Sequence, residues 1–224
     1  MMMMMNLPSG MSWLASQVAG HHSDPAKNNI RIIETNNGCV LKAGQKEDLQ
    51  TREVSFYEKI KNSDESLYNE LRTLTPKYFG TRELLLGKRR IQFIVLEDIT
   101  VGMIEPCVMD IKIGKRTWDP LASIEKRAAE EVKYVESKKA YGFCIPGFQV
   151  YDLSTRDFKK FGKDYGKRLN KETTVQGDCP EEINCLRVKM IDFTHVFSAE
   201  NENLDINYLA GITNLVKVLE SLIR

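Results

Sequence analysis

The sequence predicts an α+β chain, and three features carry that expectation. An Asn36-Asn37-Gly38 turn lies between two short apolar runs. Charged and apolar residues alternate from Val108 to Ile113. Apolar residues recur at helical spacing around Glu53 and again near the C-terminus. At 224 residues the chain can bury a core, as one large domain or as two small lobes sharing a cleft. Lys and Arg number 32 against 31 Asp and Glu. No global field therefore holds nucleic acid or an anionic membrane, and a polyanion must be met by a local basic patch. The five cysteines, Cys39, Cys107, Cys144, Cys179 and Cys185, form no CxxC pair, which argues against a disulfide framework or a zinc site. No apolar run reaches the length of a membrane-spanning helix, and Met1 to Met5 lacks the features of a signal peptide. A monomer in the cytoplasm or nucleus is expected.

Along the chain, residues 1–29 read as an N-terminal extension, and His21 and His22 as surface rather than metal ligands. The runs Arg31 to Glu34 and Cys39 to Ala43 form a hairpin that leaves Lys42 at a strand end. Asp48 caps a helix reaching about Ile60, with Leu49, Glu53, Phe56 and Ile60 on one inward stripe. A carboxylate on such a face needs a cation, because desolvating it unpaired costs several kcal/mol. Either Glu53 is half exposed and pairs with Arg52 or solvent, or it pairs with Lys42 and aims that lysine at nucleotide phosphates. A second hairpin, Leu84 to Leu86 and Ile91 to Leu96 around Gly87-Lys88, leads into a hinge at Glu97-Asp98-Ile99-Thr100.

Strand alternation from Val108 to Ile113 puts Asp110 and Lys112 on one face, about 6.6 Å apart, with Met109, Ile111 and Ile113 on the other. A carboxylate that orients a hydroxyl or ribose beside a lysine that neutralises phosphate suits phosphoryl transfer; an exposed ion pair is the plainer alternative. Arg187 to Phe193 reads as another strand, ending in an aspartate, Asp192, placed to hold Mg2+. Asp119-Pro120 opens a helix through about Val135, on which Lys126 and Lys133 share a face. They would grip phosphates or be balanced by Glu125, Glu130 and Glu131. Lys167, Arg168 and Lys171 form a second basic cluster.

Pro106-x-x-x-Asp110-x-Lys112-x-Gly114 resembles the signature of the inositol polyphosphate kinases. The ordered set Gln17-Val-Ala-Gly20-His21, Pro76-Lys-Tyr78-Phe-Gly80, Leu96-Glu-Asp-Ile99-Thr100, Asp119-Pro120, Tyr165-Gly166, Lys171-Glu172-Thr173 and Met190-Ile-Asp192-Phe193 with His195 resembles the multikinase branch. The resemblance implies a two-lobed α+β fold, protein-kinase-like or ATP-grasp-like, with an ATP cleft between lobes. It places an N-lobe at 30–100 with the hinge at 97–100, and a C-lobe at 101–224 with an inositol-binding helix at about 120–136. It further implies ATP and Mg2+ as cofactors and an inositol polyphosphate as substrate, with lipid phosphoinositide a second substrate by analogy alone. Lys42, paired with Glu53, would contact ATP phosphates, and the Glu97 and Ile99 backbones would hold adenine. Asp110 would meet the ribose, Asp192 would ligate Mg2+, and Lys112, Lys126, Lys133, Lys171 and His195 would contact substrate.

Two departures from the family pattern stand out. Residues near Ala129 and Glu130 replace glutamines carried by relatives. Only Thr174 to Lys189 joins Lys171-Glu172-Thr173 to Met190, where relatives have a longer stretch including a Ser-Leu-Leu strand, so the strand ending at Asp192 would lose a neighbour. That shortening keeps a second function open, a catalytically weak binding protein, beside a third, an inositol hexakisphosphate or inositol trisphosphate 3-kinase. Ile206, Leu209, Ile212, Leu215, Leu219 and Leu222 make the inward stripe of a final helix.

Overall fold

The computed structural model describes residues 6–20, 30–44, 46–169, 186–199 and 203–222. They divide into two compact units, the first within Met1–Met103 and Cys185–Ser198, the second within Ile104–Asn184 and Ala199–Arg224.

The first unit is a five-stranded antiparallel sheet carrying two helices. In chain order these are β1 (Met11–Trp13), β2 (Ile33–Thr35), β3 (Cys39–Ala43), α1 (Glu47–Asn62), α2 (Ser66–Leu74), β4 (Tyr78–Leu86) and β5 (Arg89–Glu97). The sheet order is β1-β2-β3-β5-β4. Both expected hairpins form: Ile33 pairs with Leu41 across the Asn-Gly turn, and Leu86 with Arg89 across Gly87-Lys88. Gly38, at φ +76, takes the left-handed conformation that this turn requires. Alternation sorts the side chains onto two faces. Ile33, Leu41, Leu84, Leu86 and Phe93 form one buried cluster, while Val40, Ile94 and Leu96 form another with Tyr57 of α1. Each such side chain contributes about 1.5–3 kcal/mol on burial. Lys42 follows Val40 by two residues and pairs with Ile94, so the pleat turns it toward the face that α1 covers.

Four expectations are corrected in this unit. Residues 1–29 are not only an extension, because Met11–Trp13 pairs with β2 in the sheet. Asp48 does not cap α1; Lys46 precedes the first turn and Asp48 lies within it, where a carboxylate favours the helix dipole. Segment 186–198 joins this unit rather than a C-terminal lobe beginning at 101. Residues 187–193 form no strand. With no ladder beside them, the Met190 N–H instead donates to the Leu74 carbonyl, and Lys189 Nζ to the Thr73 carbonyl.

The second unit holds a three-stranded antiparallel sheet, β6 (Val108–Ile113), β7 (Phe143–Asp152) and β8 (Asp157–Phe161), in that order. Its helices are α3 (Ile124–Glu131), α4 (Val135–Tyr141), α5 (Lys163–Gly166) and α6 (Ile206–Leu222). Ile111 and Ile113 pack on Tyr141, Phe143, Ile145 and Leu169, which leaves Asp110 and Lys112 on the opposite face as alternation requires; Met109, on the same side as the isoleucines, is exposed. The helix expected over 120–136 is two helices. Ser123 caps α3 by accepting from the Lys126 N–H, whereas buried Asp119 accepts from the Leu121 N–H in the turn before it. Tyr134, at φ +54, breaks the chain direction between α3 and α4.

The stripe assigned to α6 is corrected as well. Ile206, Leu209 and Leu219 are exposed, and the packed face carries Asn207, Gly211, Asn214, Leu215 and Val218. Asn207 bonds both the N–H and the carbonyl of Arg116, and Asn214 bonds the Tyr141 carbonyl. Gly211 sets the approach: a Cβ there would collide with the Gly142 carbonyl and lie 2.9 Å from the Gly114 nitrogen. Alanine suits a helix interior better than glycine by about 1 kcal/mol, but the collision is with backbone, which cannot rotate away. Gly211→Ala is therefore expected to lower stability by about 1–3 kcal/mol. A urea midpoint at or above that of the unmodified chain would show that α6 is not seated this closely.

Candidate functional site

In the first unit, three charged side chains converge. Lys42 Nζ donates to both carboxylate oxygens of Glu53, at 2.7 and 2.9 Å, and to Oδ1 of Asp192 at 3.0 Å. Glu53, midway along α1, is only 1% exposed, so its partner had to be a cation reaching that face, and Lys42 is the strand residue aimed there. The alternative of a half-exposed Glu53 paired with Arg52 is excluded: Arg52 donates to the Thr194 carbonyl and lies over the Phe197 ring. Burial disfavours the Lys42 charge, but the two carboxylates outweigh it and hold its pKa above the usual lysine value. Burial pushes Glu53 upward, further than Lys42 pulls it down. Burial also acts upward on Asp192, yet Lys42, the Thr194 hydroxyl and the nearby His195 hold it below the usual carboxylate range.

The turn that begins at Asp192 places its carboxylate. The residue sits at φ +66, a left-handed conformation that aspartate tolerates better than most, and opens a single 3-10 turn, Phe193–His195. Phe193 is buried against α1, 4.5 Å from the Phe56 ring and edge-on to Tyr57 at 5.3 Å. The aromatic anchor and the Arg52 bond together fix the turn that presents the carboxylate. Asp-Phe carries little information as a dipeptide, so the anchoring role of Phe193 was not legible from the sequence.

A cavity of about 570 Å3 opens beside the end of β5, lined among others by Gly38, Lys77, Glu97, Ile99, Arg187 and Lys189. The Glu97 N–H donates to the Lys77 carbonyl, and the Asp98 N–H to Gly38. Arg187 Nη1 donates to the carbonyls of Ile99 and Val101. Arg187, read from sequence as the start of a strand, is thus a side-chain clamp on the segment that follows β5.

In the second unit, Lys112, Lys126 and Lys133 are each about half exposed. Lys126 Nζ lies 3.9 Å from Asp119. Lys133 lies beyond the end of α3 and does not share that helix with Lys126; its Nζ donates to Glu130 at 2.6 Å, and Lys112 Nζ lies 3.9 Å from the other Glu130 oxygen. Burial would raise the Glu130 pKa, but the Lys133 hydrogen bond and the two lysine charges lower it. Lys138 is buried and donates to the Glu130 carbonyl at 2.6 Å, and burial lowers its pKa. Neither Glu130 as a shared counterion nor Lys138 as a buried support was singled out by sequence pattern. His195 belongs to the 3-10 turn of the first unit, and Lys171, like His21 and His22, lies outside the described residues.

A sequence model of the inositol polyphosphate kinases matches residues 93–181 and 177–220, more than half of the chain. This chain belongs to the inositol polyphosphate kinase family. The two matched segments meet inside the short connection before Met190. An inositol polyphosphate multikinase of Mus musculus is 34% identical over 166 residues, which are 73% of this family member and 41% of the mouse protein. Inositol polyphosphate multikinase beta of Arabidopsis thaliana is 30% identical over 179 residues, 75% of this chain and 58% of that protein. This kinase-family chain thus spans less than two thirds of the length of these relatives. The fold matches the crystal structure of an inositol phosphate multikinase of S. cerevisiae in complex with ADP and Mn2+, with a TM-score of 0.62, 16% identity, and coverage of 83% of this chain and 99% of the other. The α+β kinase fold of the family is therefore the fold of this chain.

Proposed function

We propose that this chain is an ATP-dependent kinase that phosphorylates hydroxyl groups of inositol polyphosphates, of multikinase type. The observation that carries the reading is the Lys42 nitrogen bonded at once to Glu53 and Asp192. Glu53 fixes the lysine, and the lysine charge faces a carboxylate suited to a hard cation. That arrangement serves a triphosphate, whose transfer depends on positioning and charge neutralisation.

Lys42 neutralises the ATP phosphates, and the cavity beside Glu97 and Ile99 takes the adenine. Both hydrogen bonds that Asp192 accepts from Lys42 and Thr194 fall on Oδ1, so Oδ2 of this 63%-exposed side chain is the oxygen for a divalent cation. Among the described residues no group of three or more His, Cys, Asp or Glu converges. This fits Mg2+, which is held by one or two carboxylates with substrate phosphates supplying further ligands. When bound, the cation neutralises charge on the phosphates. The S. cerevisiae relative, captured with ADP and Mn2+, supports nucleotide and divalent-cation use. Lys112, Lys126 and Lys133 hold the phosphates of the inositol, and Asp110, on the Lys112 face of β6, orients a hydroxyl or the ribose. A monomer in the cytoplasm or nucleus remains part of this proposal.

Incubation with Mg2+, labelled ATP and inositol 1,4,5-trisphosphate, followed by anion-exchange chromatography, tests it. Inositols carrying additional phosphates are expected. Absence of product from protein that melts cooperatively and binds both ligands would instead establish a binding protein.

A further inference from the structure

The Glu130 carboxylate occupies the ground between two lysines that would otherwise be open to a phosphate. It is 17% exposed, while Lys112 and Lys133 are 50% and 48% exposed. Each oxygen faces one lysine: Oε1 takes the Lys133 hydrogen bond, and Oε2 faces Lys112 at 3.9 Å and accepts from the Thr117 hydroxyl at 3.4 Å. The backbone is held too, because buried Lys138 donates to the Glu130 carbonyl. The carboxylate is therefore fixed from both sides rather than swinging on a solvated helix face, and it offsets one of the two lysine charges at the position between them.

We infer that Glu130 is a specificity-determining residue that makes the position between Lys112 and Lys133 accept a ring hydroxyl and reject a phosphate. The inference rests on the inositol polyphosphate reading of this chain. A hydroxyl donates to a carboxylate at no electrostatic cost. A phosphate brings a second anion into contact with the first, and like charges juxtaposed in a partly desolvated site repel. Ligands with a free hydroxyl at this position are favoured, and a ring with every hydroxyl phosphorylated is disfavoured. Lys112 and Lys133, each about half exposed, still meet phosphates on their outer sides; neutralising Glu130 opens the position between them to a phosphate as well, whose charge-assisted hydrogen bonds are about twice as strong as neutral ones.

The test is calorimetric titration of the full chain, Glu130→Gln and Glu130→Ala with inositol 1,4,5-trisphosphate and with inositol hexakisphosphate, at two salt concentrations. Glutamine keeps the shape, and alanine keeps the backbone carbonyl that Lys138 uses, so one variant covers a folding failure of the other. Both are expected to gain about tenfold or more in affinity for the hexakisphosphate, and much less for the trisphosphate, with a steeper salt dependence. An unchanged ratio between the two ligands in both variants would overturn the inference and leave Glu130 a structural counterion, with the kinase reading intact. If neither the unmodified chain nor the variants bind any inositol phosphate while still binding ADP, the substrate reading falls and this inference with it.

Discussion

Asp192→Asn is expected to lower turnover roughly a thousandfold, the scale on which removing one fixed charge from a phosphoryl-transfer site acts. Asparagine keeps the shape and an acceptor for the Thr194 hydroxyl, so the 3-10 turn should persist, still held by Phe193 and Arg52 on α1. What disappears is one of the two negative charges facing Lys42 and the ionised oxygen proposed to hold the cation. The side chain is 63% exposed, so its ion pair with Lys42 contributes at most about 1 kcal/mol to stability. Activity should therefore collapse while the melting midpoint scarcely moves. Initial rates with labelled ATP, beside a thermal melt of the same preparation, separate the two quantities. Turnover equal to that of the unmodified chain would remove Asp192 from the reaction.

How much of this fold and site is legible in the sequence depends on how local each determinant is. The two hairpins of the first sheet follow from alternating runs flanking Asn-Gly and Gly-Lys, because turn chemistry and the pleat are properties of a few adjacent residues. The position of β6 follows from the same alternation. The Lys42–Glu53 pair could be posed only as one of two readings, since a carboxylate on an inward stripe demands a cation without naming it. α6 misled, because leucine spacing identifies an apolar stripe but not its partner. A glycine that admits the Gly142 backbone and two asparagines that bond to main chain seated a face offset from that stripe, with Leu215 common to both. The segment 186–192 could not be read, because its conformation is set by bonds to the end of α2 and to the segment after β5, far away in sequence. Glu130 was visible as one of several balancing acids, but its place between two lysines depends on the Lys112 side chain of β6 reaching it from a distant stretch of sequence.

Lys42→Met is expected to cost about 3–5 kcal/mol of stability, because it strands the Glu53 carboxylate at 1% exposure with no cation. Glu53→Gln should cost less, since it leaves Lys42 with Asp192 as partner and removes the buried charge instead of isolating it. The two variants also differ in pH dependence. Burial already sets the Glu53 pKa above its ordinary value, and Lys42 is the principal influence opposing that rise. Without Lys42 the folded-state value climbs further, so folded Lys42→Met binds a proton that the unfolded chain, with a glutamate pKa of about 4.3, has released. The stability gained from that proton is fully present below the unfolded value and is lost as pH rises through the folded one. The deficit of Lys42→Met relative to the unmodified chain should therefore widen from mildly acidic to mildly alkaline pH, whereas that of Glu53→Gln should not. Urea melts of all three proteins across that range measure the difference. A flat deficit for Lys42→Met, or one below about 1 kcal/mol, would mean that Glu53 is not held by Lys42 in the folded chain, and the geometry assigned to the phosphate site would go with it.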